Sequence, residues 1–175
     1  ISARLWYEND STSKSKISIS GKTKAFDKCL KKSHGTQLAF DYIEALQNVA
    51  VEERKRFPAY DAILDAVNMA FTDELAPGER VIFSTRYTDE IVALQTEDGT
   101  VVPFTSLSDG YRNVIKIILD IAARMCILNP YQKGDALKNT PGIVVIDEIN
   151  LSLHPTWQRK IINILKQLFP KIQFI

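Results

Sequence analysis

What this sequence has little of narrows its class before any motif is read. It holds two cysteines, Cys29 and Cys126, too few and too far apart to suggest a disulfide framework or a metal knuckle. A reduced, cytoplasmic setting is the simpler expectation. Of its two histidines, His34 sits in a Lys-rich polar stretch without partner ligands. No apolar run approaches the roughly 20 residues that span a bilayer, and no signal peptide is visible. A membrane partner is therefore not expected. An excess of one charge is missing as well: 22 Lys and Arg stand against 21 Asp and Glu. A net charge of +1 gives no global pull toward nucleic acid or membrane, and leaves only a local patch open. Sustained heptads are absent, so no long coiled coil is expected.

What remains is ordinary globular material. Apolar residues make up 45% and charged residues 25% of 175 positions, enough for one core of usual size. The first residue is Ile1 rather than Met, and Ile175 falls inside an apolar run. The chain reads as part of a larger protein.

Residues 1–25 read as a strand or helix tail, Ile1–Tyr7, followed by a Ser- and Lys-rich loop. That loop contains Ser20-Gly21-Lys22-Thr23, similar to the end of a phosphate-binding P-loop. The motif needs a second glycine five positions before Gly21, where Lys16 stands. A basic surface loop is the better reading. Residues 26–79 form an accessory helical layer. Its first helix, Phe26–Val51, carries Leu38, Tyr42, Leu46 and Val49 on one face. Its second carries Tyr60, Ile63, Leu64, Val67 and Phe71, and closes at Pro77-Gly78. From Arg80 the period changes. Arg80–Arg86, Glu90–Gln95 and Thr100–Phe104 are β-rich, with Glu97-Asp98-Gly99 as a hairpin signal, so a small antiparallel sheet is expected.

The chemistry lies further on. Gly142-Ile143-Val144-Val145-Ile146 runs into Asp147-Glu148, which predicts a strand buried on both faces of a parallel sheet, with two acids at its carboxyl end. Open α/β folds bind ligands at that edge. Asp147 can hold Mg²⁺, directly or through water, and Glu148 can orient or deprotonate a water. The competing reading is an ordinary strand whose acids are solvated or cap the next helix. Upstream, Leu107-Ser108-Asp109-Gly110-Tyr111-Arg112 precedes a helix running to about Leu128. Ser108 suits an N-cap, and Gly110 lets backbone approach an anion at the positive helix end. A plain capped core helix explains those residues equally. Lys116, Asp120 and Arg124 form its charged stripe, and Tyr131–Thr140 reads as a polar connection. After the acids, Leu151-Ser152-Leu153-His154-Pro155 leads into a helix with Trp157, Ile161, Ile164, Leu165 and Leu168 on one face. The apolar run from Ile172 completes a βαβ unit. His154, at the helix entrance beside the acids, is either functional or a capping residue.

These three stretches in this order resemble the second half of an ABC-type ATPase head. The similarity is to the AAA-like branch that includes the OLD-family and the Septu- and retron-associated defence ATPases. In that branch the acidic strand is followed by an Asp, a Leu-His-Leu-His-Pro run and Trp-Gln. Here His154-Pro155 and Trp157-Gln158 match, while Asn150 and Ser152 depart. The resemblance implies a P-loop NTPase-like α/β fold, with a parallel βαβ core in residues 80–175, the small antiparallel sheet and the accessory helical layer.

It also implies roles. Asp147 becomes the Walker B Mg²⁺ ligand and Glu148 the general base. Ser108, Asp109, Gly110 and Arg112 become signature residues facing the ATP of a partner subunit. Asp109 stands where a glycine is common. His154 falls at the D-loop aspartate of transporters, across a dimer interface, where it joins Glu148 in catalysis. The expected activity is ATP hydrolysis with Mg²⁺ in a head-to-tail homodimer that regulates a nuclease or toxin effector in antiphage defence. An ATPase acting directly on DNA is the alternative, and a binding-only regulator a distant third. Because a true P-loop and a histidine switch are not in the segment, it is expected to be inactive alone.

Overall fold

The computed structural model describes residues 35–54, 57–83, 90–150 and 152–175. The Ser20–Thr23 string, the Ile1–Tyr7 run, His34 and the start predicted for the first helix lie outside the described residues.

The centre is helix α3, Asp109–Leu128, with Val114, Ile115, Ile118, Leu119, Ala122 and Ala123 all fully buried. A helix that apolar can only be a core element. Two helices pack on it: α1, Gly35–Glu53, and α2, Pro58–Asn68. α1 buries Ala39, Tyr42, Ile43 and Leu46, a stripe at the spacing of one helical face. α2 opens on a proline at its first turn, where a missing N–H costs nothing. It does not end as a simple helix. Met69–Leu75 continues as a π-helix, in which Ala76 N–H reaches back five residues to Phe71 O at 2.8 Å. The wider turn brings Phe71 into the core beside α3.

The expected antiparallel sheet is present, with strand order β1-β2-β3. β1, Arg80–Phe83, pairs with β2, Val92–Gln95, which pairs with β3, Val101–Pro103. The β2–β3 turn carries Gly99 at φ 87°, the conformation glycine tolerates best. Side chains from the helices satisfy the backbone of β1. Asn68 Nδ2 donates to Val81 O (3.1 Å) while its Oδ1 accepts from Val81 N–H (2.7 Å). Gln47 Nε2 and the Tyr60 hydroxyl both donate to Phe83 O.

The connection after α3 is less polar than expected. It forms a 3₁₀ stretch, Pro130–Asp135, and a short helix α4, Ala136–Asn139, with Ala136, Leu137 and Thr140 buried. The Thr140 hydroxyl donates to Ala136 O (2.7 Å) and accepts from Asn129 Nδ2 (2.8 Å), which sets the chain's return into β4.

β4, Gly142–Val144, helix α5, Pro155–Leu168, and β5, Ile172–Phe174, form the expected strand–helix–strand unit with parallel pairing. The ladder runs past the regular strands: Ile175 N–H donates to Val144 O (3.0 Å) and Ile146 N–H to Ile175 O (2.9 Å). α5 buries the predicted face, Trp157, Ile161, Ile164, Leu165 and Leu168.

The expectation that the acidic strand is buried on both faces is not met. Val144, Ile146, Ile172 and Phe174 pack on the core, but Ile143, Val145 and Ile175 are 66%, 72% and 67% exposed. Successive strand residues alternate between faces, and the described residues cover only one face of this two-stranded ribbon. No helix among the described residues is long and apolar enough to cross a membrane.

Candidate functional site

β4 delivers the chain to a turn, Asp147–Asn150, at the carboxyl end of its parallel pairing with β5. Both acids are exposed there, and neither makes a hydrogen bond or ion pair among the described residues. Glu148 stands at φ 52° and Ser152 at φ 63°, a region that costs non-glycine residues about 1–3 kcal/mol and persists only where surroundings impose it. No group of three or more His, Cys, Asp or Glu among the described residues is arranged to hold a metal. Two free carboxylates do suit Mg²⁺, which binds through one or two carboxylates and keeps water or phosphate as its other ligands.

Ser108 lies at the N-cap of α3, exposed and in extended conformation, but its hydroxyl makes no capping bond. The first helical turn closes through Arg112 N–H to Ser108 O (3.0 Å). The expected cap is therefore only positional, and the hydroxyl stays available at the surface. Asp109 and Arg112 pair with each other, and Arg112 Nη1 also donates to Thr105 O (3.2 Å). The pair is half or more solvent-facing at Asp109, where such bridges stabilise by at most about 1 kcal/mol. Arg112 thus faces Thr105 and Asp109 in this conformation.

Gly110 joins the two motifs. It is buried, and a Cβ built on it would lie 2.7 Å from the backbone oxygen of Ser152. The start of α3 and the loop after the acid pair touch through backbone, and only glycine leaves the space. Beside this contact, Tyr111 packs tilted against Trp157 with ring centres 4.7 Å apart, and both rings meet Phe71 at 5.6 and 5.8 Å. Burial, and then the carboxylate of Glu79 facing its hydroxyl, push the Tyr111 pKa up to about 12.

α5 is fastened to the π-helix at its carboxyl end. Trp157 Nε1 donates to Leu75 O (3.0 Å), and Lys160 Nζ to Glu74 O (2.8 Å) and the Glu74 carboxylate (3.4 Å). These donors satisfy carbonyls that a helix end leaves without internal partners. His154 caps the other end: its Nδ1 accepts from Thr156 N–H at 3.3 Å, with the ring exposed. The capping reading of His154 is what this conformation shows.

The structure therefore brings Gly110 against the loop after the acids, and places Asp147, Glu148 and His154 on one connection. Gln158 was legible only as part of a Trp-Gln match. Its amide reaches Leu153 O (3.0 Å) and Asn150 O (3.4 Å), closing that same connection. Sequence gives Trp157 as part of a core face and of the Trp-Gln match, but periodicity registers its ring and not its N–H. Ser152 entered only as a departure from a motif; its role here is played by its backbone carbonyl, which no side-chain pattern encodes.

Fold and site define a mixed α/β domain with a parallel strand–helix–strand unit presenting two carboxylates beside a helix start. The chain belongs to the family described as "AAA domain, putative AbiEii toxin, Type IV TA system", whose model matches residues 12–175. It is 44% identical over 79 residues to the retron Vc95 probable ATPase of Vibrio cholerae serotype O1 biovar El Tor, a match covering 45% of this chain and 15% of that protein. It is 49% identical over 69 residues to the retron Ec83 probable ATPase of Escherichia coli, covering 39% and 12%. A Septu protein PtuA of Bacillus mycoides (strain KBAB4) is 48% identical over 69 residues, covering 39% and 9%. The matched stretch is thus a small part of each of these relatives.

Proposed function

We propose that this chain is the part of an ATP-hydrolysing head that carries the acid pair and the signature-like turn. The observation that supports this most is the arrangement at the carboxyl end of the parallel pair. Asp147 and Glu148 stand there exposed, and the next residues of the connection lie in backbone contact with Gly110. Membership of an AAA family, with retron and Septu relatives two of which are named probable ATPases, agrees with it.

In this reading Asp147 is the carboxylate ligand of Mg²⁺, which when bound supplies charge neutralisation for the phosphates. Glu148 accepts a proton from the attacking water. The Ser108 hydroxyl and the N–H groups at the start of α3, with Asp109, Gly110 and Arg112, face the nucleotide of a second copy in a head-to-tail homodimer. That arrangement requires the Arg112–Asp109 pair to open, an inexpensive step for an exposed bridge. His154 lies on the same connection as the acids and would face across the dimer. In the complete protein the closed dimer regulates a nuclease or toxin effector in antiphage defence.

The test is ATP turnover by the complete polypeptide, wild type beside Glu148→Gln, over a range of protein concentrations. Turnover rising faster than concentration in wild type, with a loss of about 100-fold or more in the variant, is expected when a general base is removed. Equal rates in the two proteins would remove Glu148 from the mechanism.

A further inference from the structure

The connection that carries the acids is strained at two places, Glu148 and Ser152, and must be held from outside. Among the described residues its own backbone supplies one bond, Leu153 N–H to Asn150 O at 3.2 Å. A further hold comes from Gln158. Among the described residues its side-chain amide meets two carbonyl oxygens, those of Leu153 and Asn150, so the NH₂ and not the carbonyl faces them. One NH₂ has two hydrogens and can serve both. Gln158 itself sits on a helix that cannot shift easily. Its backbone N–H donates to His154 O, and neighbouring Trp157 and Lys160 fasten α5 to the end of the π-helix. On its far side the connection rests against Gly110.

We infer that Gln158 is a positioning residue for the acid pair. Its amide closes the connection from Asn150 to Leu153, and so sets where Glu148 points relative to the start of α3. This rests on the reading of Asp147 and Glu148 as the hydrolytic acids. It adds a residue that touches neither nucleotide nor metal, acting only through the backbone that carries them. Gln158 is exposed, yet its amide reaches two carbonyls of one strained loop, where an exposed helix glutamine ordinarily bonds to water.

Three variants of the complete polypeptide separate the possibilities. Gln158→Met keeps length and removes both donors. Gln158→Glu turns acceptors toward two carbonyls. Gln158→Lys restores donors. Amide hydrogen exchange over 147–153 and ATP turnover per folded molecule are measured for each, with the folded fraction taken from melting curves. The expected result is faster exchange confined to 147–153 in Gln158→Met and Gln158→Glu. Their kcat should fall about 10- to 100-fold, as small misplacements of catalytic groups do, with KM for ATP within about twofold. Gln158→Lys should recover most of both. Wild-type exchange and kcat in Gln158→Met would overturn the inference, as would a kcat loss that follows only the folded fraction. If Gln158→Met fails to fold, Gln158→Glu carries the same comparison. A wild-type protein without turnover would overturn the ATPase reading instead, and the exchange comparison would still decide whether Gln158 holds the loop.

Discussion

Gly110 has no room for a methyl group. The nearest atom to an added Cβ is backbone oxygen, at 2.7 Å, and backbone cannot swing aside as a side chain can. Gly110→Ala must therefore shift the Asn150–Leu153 connection or the start of α3. Overpacking of this kind costs about 1–3 kcal/mol. In a chain of this size that lowers the melting temperature by about 2–4 °C for each kcal/mol, read by calorimetry or circular dichroism. An unchanged melting temperature would mean that the two segments are not in contact in solution. From sequence alone, glycine at this position suits a phosphate approach or the first turn of a capped helix. The contact gives it a further, internal reason to be glycine.

At the scale of elements, the antiparallel sheet depends on the helices for its outer edge. Asn68 at the end of α2 makes both a donated and an accepted bond to the backbone of Val81, much as another strand would. Asn68→Leu removes both and leaves two polar groups of Val81 without partners in a part-buried place. A loss of about 1–3 kcal/mol is expected, measured by urea unfolding. Faster amide exchange at Val81 should accompany it. The three strands and the hairpin between the last two were legible from β-rich runs and the Glu97-Asp98-Gly99 turn. The edge bonds were not, since Asn68 lies 13 positions from Val81 and nothing local marks it. The π-helix at Met69–Leu75 was equally silent: its residues fit the apolar face of a plain helix, and the altered ladder shows only in backbone bonds. α5 was the clearest case, because five large apolar residues at helical spacing leave one face to bury.

For the molecule as a whole, the one-sided ribbon matters most. Parallel strands are ordinarily covered on both faces, yet Ile143, Val145 and Ile175 form an exposed apolar face here. The 175-residue chain by itself should bind a hydrophobic dye such as ANS at this face. Substituting Ile143→Thr together with Val145→Thr should reduce the bound fluorescence by about half or more, since large exposed apolar patches are what such dyes and partners take up. Unchanged fluorescence would show that the face is covered within the chain. The opposite face of the ribbon, with α5 and the central helix α3, belongs to one continuous apolar cluster that also takes in α1, α2 and the antiparallel sheet.

The amino-acid sequence alone determined the elements whose burial is periodic, and the residue types that can do chemistry. Apolar spacing specified α5, an N-cap residue before a long apolar stretch specified α3, β-rich runs and turn residues specified β1–β3, and Asp147-Glu148 after a branched apolar run marked the end of a parallel strand. Those features are local, so a short window of residues contains their cause. Tertiary structure decided which motifs touch. The meeting of Gly110 with Ser152, the closure of the acid connection by Gln158 and the anchoring of α5 at Leu75 and Glu74 all use backbone carbonyls as partners. Every residue carries such a carbonyl, so its identity cannot reveal which one is used; only the folding of the chain brings the donor to it.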